Sequence, residues 1–285
     1  MCSSDLGPQR RARPRIGMPA GAVIKLSSPT TREYWEVPVL HEDDHLLAVA
    51  KPARLLSSPD RYDPARPNLM RLLHDGIAAG APWARERNLT YLANAHRLDF
   101  ETSGVMLLAK EKPVLVTLAN AFGSNQPLKT YLALTRGIPA QPEFTVDAPI
   151  GPQTRQLGLM RIDRQGGKKS QTNCRVAEQF RGFTLLHCQP LTGRTHQIRV
   201  HLRSVGLHIV GDVDYAGSPL YLSQIKSSYR PKFDEPERPL LDRVALHAER
   251  LEINHPVTGA SIVITAELPK DLRVALKYLR QFSGL

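Results

Sequence analysis

The sequence predicts an α+β fold, in which short strands and a few helices follow one another along the chain. Three observations carry this. Short runs rich in Val, Leu and Tyr alternate apolar and polar residues, the period of half-buried strands. Several of these runs are joined by short polar turns, which pair neighbours antiparallel. A few longer segments instead repeat apolar residues at helical spacing. At 285 residues the chain has room for one large domain or two small ones with a proper core.

Residues 1–33 hold Pro, Gly, Ser and Arg with little periodicity, and read as a mobile, basic, disordered tail. The ordered domain is expected over 34–285, beginning near Trp35. Residues 37–40 and 46–50 form short strands around the turn 41–45. Over 68–79, Leu69, Leu72, Leu73 and Ile77 share a helix face that Gly80 closes, and His74 on it reads as structural. Residues 89–95 and 105–109 read as strands with a polar turn between them. A helix over 113–122 has Pro113 at its start and Gly123 at its end. A strand follows at 128–134. Residues 138–170 are loop-rich and basic over 155–169, and 171–180 and 183–190 make a hairpin across Arg181-Gly182. Residues 194–205 fit a helix with Ile198, Leu202 and Val205 on one side and His196, Arg199 and Arg203 nearly opposite, a buried face and a basic one. The Pro- and charge-rich stretch 218–242 is an exposed loop or short helix. Strands at 244–251 and 261–267 and a helix at 270–279 close the chain.

Bulk properties exclude several function classes. No apolar run reaches the ~18 residues of a membrane span, and the Arg-rich N-terminus lacks the apolar segment of a secretory signal. Cys2, Cys174 and Cys188 show no paired spacing, which points to a reducing cytosol and a cytoplasmic protein. Residues 166–170 invite a phosphate-loop reading, but the glycine spacing before Lys-Ser is wrong and no strand leads in. His196 and His201 have no accompanying ligand cluster, so no metal site is expected. The net charge is +11, of which residues 1–32 supply +5, so the excess persists in the folded part and favours a polyanionic partner.

The chemistry-bearing stretch is 96–104, His-Arg-Leu-Asp-Phe-Glu-Thr-Ser-Gly. Thr102 and Ser103 can bond local backbone, Gly104 can take a positive φ, and Asp99 then sits beside Arg97. An arbitrary aspartate here would merely cap its own turn. The string, however, resembles the HRLDxxTSG signature of the RluA-type pseudouridine synthases. Lys129-Thr130-Tyr131, leading into an apolar strand and Gly137, resembles that family's second block. Gly193-Arg194-Thr195-His196-Gln197-Ile198-Arg199 resembles its third, followed as there by Gly211-Asp212 and Tyr215. Lys51-Pro52 matches the end of its opening strand, although Ala53-Arg54 stand where the family continues with Gly. Residues 244–256 match its late strand. The resemblance spans about residues 35–267.

The resemblance implies the pseudouridine synthase catalytic fold, a mixed, mostly antiparallel central sheet flanked by helices with a cleft between two halves. It also implies an enzyme that converts uridine in RNA to pseudouridine without cofactor or metal. The N1–C1′ bond is cut, the uracil turns, and C5 bonds to C1′. Asp99 is the implied catalytic carboxylate, because an ionised carboxylate can serve an electron-poor C1′. Arg199 is implied as the guanidinium that keeps it charged; Arg97 is also near in sequence, and pairing alone does not choose between them. Arg97 is instead assigned to the space vacated by the extruded nucleotide. Tyr131 is implied to stack near the uracil and take its C5 proton, and Leu246 to form an apolar wall. His96, Thr102, Arg194, His196 and Gln197 lie in the matching blocks as substrate-binding positions. An accessory S4 domain is not expected, and the enzyme is expected to act as a monomer on ribosomal or transfer RNA. A non-catalytic RNA-binding or assembly factor would predict loss of Asp99, Tyr131 or Arg199, and all are present. A hydrolase using Asp99 would need a second carboxylate or metal set in a recognised spacing.

Overall fold

The computed structural model describes residues 22–60, 63–154, 156–230 and 234–285. The chain opens with an antiparallel meander of β1 (Val23–Ser27), β2 (Tyr34–Glu42) and β3 (Leu46–Lys51). β1 lies inside the stretch read as a tail. Ile24 and Leu26 alternate with exposed neighbours and bury against Val37 and Val39, so order begins by Val23 rather than near Trp35. Two inward residues are too few to register as a period. The Arg-rich residues 10–15 of that tail lie outside the described residues.

Helix α1 (Leu69–Ala78) starts where the Asn68 side chain accepts the Arg71 N–H at 2.9 Å, and it buries Leu69, Met70, Leu72 and Leu73. The one-turn helix α2 (Pro82–Glu86) is too short to show a period in sequence. Only β4 (Ala93–Asn94) of the strand expected over 89–95 forms; Leu89 and Leu92 enter the core from irregular backbone. β5 (Ser103–Ala109) is buried throughout. Met106 and Leu108 face α1 and α2, while Val105, Leu107 and Ala109 face helix α3 (Lys112–Gly123), so both faces of β5 are covered.

β6 (Leu128–Arg136) and β7 (Glu143–Asp147) follow. The stretch 138–170, read as loop-rich, contains β7 and a small separate hairpin, β8 (Ile150–Pro152) and β9 (Met160–Ile162). β10 (Gln171–Phe180) and β11 (Phe183–Pro190) pair across Arg181-Gly182 as expected, with Gly182 at φ +78°. Helix α4 (Gln197–Ser204) and the short strand β12 (His208–Ile209) come next. The 218–242 excursion is tied back where Leu220 and Leu241, both buried, form a bridge. β13 (Leu246–Asn254), β14 (Ser261–Thr265) and α5 (Lys270–Phe282) end the fold.

The main sheet runs β1-β2-β3-β5-β13-β6-β11-β10-β7, with β4, β12 and β14 attached to β5, β6 and β13. Its strand pairs are antiparallel except β5–β13. That parallel seam joins the two halves. One half packs its sheet on α1, α2 and α3, the other on α4 and α5. At the seam Gly104, at φ +119°, lies against the Ala248 backbone, where a Cβ would meet the Ala248 carbonyl.

Candidate active site

One row of the sheet brings the site together. Cys174, Cys188, Tyr131, Ala248, Gly104 and Lys51 stand opposite one another across β10, β11, β6, β13, β5 and β3. Opposed residues share a face, so Tyr131 and Lys51, 80 residues apart in sequence, approach the loop that precedes Gly104 from either side. That loop carries Asp99. Ser57 clamps it by donating to the Leu98 carbonyl at 2.7 Å and accepting the Leu98 N–H at 3.0 Å. The Thr102 N–H closes the turn on the Asp99 carbonyl at 3.2 Å. The Lys51 ammonium, buried, donates to the carbonyls of Pro52, Leu55 and Phe100 at 2.6–3.3 Å.

The Asp99 side chain keeps 30% of its surface exposed, enough for a substrate to reach it. It faces a cleft of about 540 Å³ lined from both halves of the fold, with Tyr131 and Leu246 on the wall and Arg97 and Arg194 at exposed positions. Arg199 Nη1 stands 3.7 Å from Asp99 Oδ2, and His196 Nε2 stands 4.0 Å from Oδ1. Arg199 does not pair with Asp99 alone. Its Nε and Nη2 donate to both oxygens of buried Asp212 at 2.7 Å, Nη2 also reaches Asp214 at 3.1 Å, and the guanidinium lies 4.7 Å over the Tyr215 ring. A planar fork held on one edge by Asp212 has its remaining nitrogen aimed at Asp99. Burial works against the Arg199 charge, yet the Asp212, Asp99 and Tyr215 groups hold its pKa above the ordinary arginine value.

Helix α4 is not the two-faced helix expected. Gln197 through Leu202 are all buried and Val205 is exposed. Ile198 and Leu202 pack on the sheet while Val200 packs with Ile150 and Tyr215 under the β8–β9 hairpin, so Arg199 emerges between two layers and not on a solvated basic face. The helix begins at His196, whose φ of 53° turns the chain sharply into it.

A family model described as RNA pseudouridylate synthase matches residues 45–204. The chain is 35% identical to ribosomal large subunit pseudouridine synthase D of Xanthomonas campestris pv. campestris, over 96% of this chain and 80% of that protein. It is 35% identical to ribosomal large subunit pseudouridine synthase C of Salmonella typhi, over 85% of this chain and 70% of that protein. The chain belongs to the RNA pseudouridylate synthase family. Among solved structures it resembles human RNA pseudouridylate synthase domain containing 4 in fold, with a TM-score of 0.62 at 24% identity over 85% of this chain and 92% of that one. The synthase is of the RluA type, and its reaction is the isomerisation of uridine in RNA to pseudouridine.

Within the synthase, the sequence-expected binding residues divide by what their side chains already hold. Gln197 accepts from Thr192 Oγ1 and the Arg194 N–H, and donates to the Gln171 carbonyl and Thr172 Oγ1. It is buried and spent on fixing the 192–194 turn, a positioning task. His96 accepts the Leu107 N–H at 3.1 Å and stacks on Phe122, ring centroids 4.7 Å apart. Burial and the nearby Lys129 push its pKa down to about 4, so it is a neutral wall. Thr102 is buried, and its hydroxyl has no hydrogen-bond partner among the described residues. His196 is also kept neutral, chiefly by burial. Tyr215 Oη accepts the Met160 N–H at 2.9 Å, which frees its O–H to donate to His196 Nδ1 at 2.8 Å. That bond leaves the histidine proton on Nε2, the nitrogen facing Asp99.

Burial, then the Asp99 charge, raises the Tyr131 pKa above the ordinary phenol value. Tyr131 therefore carries a neutral hydroxyl, and it can take a proton only by passing its own on. Lys51 is pushed down to about 7 by burial, with Asp99 pulling it back and Arg243 adding to the fall. Asp212, Tyr215 and Lys51 were visible in the sequence as motif letters. That Asp212 anchors Arg199 from 13 residues downstream, and that Ser57 clamps Leu98, had no signal in spacing or period.

Proposed function

We propose that this synthase isomerises uridines in large-subunit ribosomal RNA, with Asp99 acting at C1′ of a nucleotide extruded into the cleft. The reading rests chiefly on one observation: an accessible carboxylate is flanked at 3.7 and 4.0 Å by Arg199 and His196 above the Tyr131 row. The names of the curated relatives support the choice of RNA. Asp99 offsets the positive charge that develops at C1′ as the N1–C1′ bond breaks. Uracil then turns against the Tyr131 ring and Leu246, C5 bonds to C1′, the C5 proton leaves, and N1 gains one. Arg199 steadies the Asp99 charge. Arg97 fills the gap left in the RNA stack, and Arg194 helps hold the backbone. Extrusion costs a few kcal/mol, offset by backbone contacts.

The described residues work as one catalytic unit and as a monomer, since a single chain supplies both walls of the cleft. No helix among the described residues is long and apolar enough to cross a membrane, and Cys174 and Cys188 are free thiols, which supports a place in the cytoplasm. The test is to map pseudouridines in total RNA from cells with and without the gene. Loss of particular pseudouridines from large-subunit ribosomal RNA is expected, and Asp99→Asn should fail to restore them while binding RNA and melting as the wild type does. Restoration by Asp99→Asn would end the assignment of Asp99, and losses confined to transfer RNA would overturn the substrate.

A further inference from the structure

The cations around the cleft are mostly committed. Arg199 holds Asp212 and Asp214, Lys51 is spent on three carbonyls, and Arg194 donates to the Lys169 carbonyl at 3.3 Å. Arg97 stands in solvent. Lys129 is different. It lines the cleft beside His96 and Phe122, is half-buried, and has no hydrogen-bond or carboxylate partner for its ammonium among the described residues. Burial lowers its affinity for its proton, and no acidic neighbour opposes that. A desolvated ammonium with no acceptor is costly, and such a group in a cleft is suited to an anion that arrives with the substrate.

From this we infer that Lys129 binds a phosphodiester of the extruded uridine's own nucleotide, a role in the proposed reaction that rests on the reading of the cleft given above. Lys129 and Tyr131 are two residues apart on β6, so both project to the same face about 6.6 Å apart along the strand. A nucleotide whose base lies against Tyr131 carries its phosphates within that order of distance. Phosphate is the anion RNA offers at every position, and a lysine recognises it as a point charge. Lys129 thereby sets how deep the nucleotide sits and helps hold it out of the stack, while Asp99 performs the chemistry.

The test uses total RNA labelled with [5-³H]uridine, taken from cells lacking the gene, so that the unmodified target is present whichever RNA contains it. Tritium release by the full-length wild type reports the reaction, and its absence would sink the reading on which Lys129 depends. With release present, Lys129→Gln should raise KM about tenfold, the loss falling on KM and not on kcat. A plot of log(kcat/KM) against log[KCl] should flatten by about 0.7–0.9, the share of one phosphate contact. Lys129→Arg should recover most of both. An unchanged salt slope in Lys129→Gln would overturn the inference, whether the lysine then touched a neutral uracil oxygen or only supported the fold. So would Lys129→Arg behaving like the glutamine variant, or a fall in melting temperature that accounts for the lost activity.

Discussion

Asp99 and Arg199 are 100 residues apart in sequence, and their meeting depends on a residue outside the usual description of such a pair. The Asp212 carboxylate is fully buried and takes two of the guanidinium's hydrogen bonds, so it orients Arg199 toward Asp99 while using most of its charge. Removing one partner of a buried ion pair strands the other. Arg199→Ala should therefore destabilise the protein by about 3–5 kcal/mol in urea unfolding, besides lowering pseudouridine formation. If stability were unchanged, Arg199 would be free of Asp212 in solution. The identity of both residues was legible in motif letters. Their geometry was not, because the bond that fixes Arg199 comes from a short helical turn, Val213–Tyr215, and the Asp212 before it, where no periodicity exists to be read.

Among the elements, the strands and helices with several inward residues were legible: α1, α3, the β10–β11 hairpin and α5 all lie where alternation or helical spacing put them. β1, α2 and the β8–β9 hairpin were not, since each is a turn or a few residues long and has little pattern to show. α4 misled in another way. A basic and an apolar side suggested a surface helix, but the β8–β9 hairpin covers the second side, and burial there is satisfied by Asp212 and by the bonds of His201 to Thr172 Oγ1 and the Ala148 carbonyl. The β5–β13 seam is the most exacting junction. Gly104→Ala would place a methyl on the Ala248 carbonyl from a φ of +119° and should cost about 3 kcal/mol or more. The expected result is a large fall in the urea midpoint, and a neutral substitution would show that the seam relaxes.

At the scale of the molecule, four histidines, two in the core and two on the cleft wall, have their charged form disfavoured by burial. His96, His196, His201 and His247 are each held below the ordinary histidine pKa, with burial the leading cause. For a base with depressed folded-state affinity, the unfolded chain takes up the proton first as pH falls. Stability is thus full above about pH 6.5 and drains away as pH drops toward 4, where His96 itself titrates. Each group contributes up to about 1.4 kcal/mol per pH unit. Asp43 and Asp271, held low as acids, act in the same direction, but only as pH falls below about 3.8. Urea unfolding at pH 7.5 and 5.5 should show a loss of about 1 kcal/mol or more at the lower pH, and His247→Gln should reduce it. Equal stability at the two values would mean that these rings take up protons in the fold without penalty.

The order of the motif blocks, the alternation of the long strands and the family they indicate were set by the sequence itself, because side-chain period and local turn chemistry act between near neighbours. Tertiary structure alone decided which strands lie side by side, that one row carries Tyr131 and Lys51 to either side of the Asp99 loop, and that Asp212 directs Arg199. Those outcomes depend on close packing and charge pairing between residues distant in the chain. Such forces leave no periodic trace in the order of the amino acids.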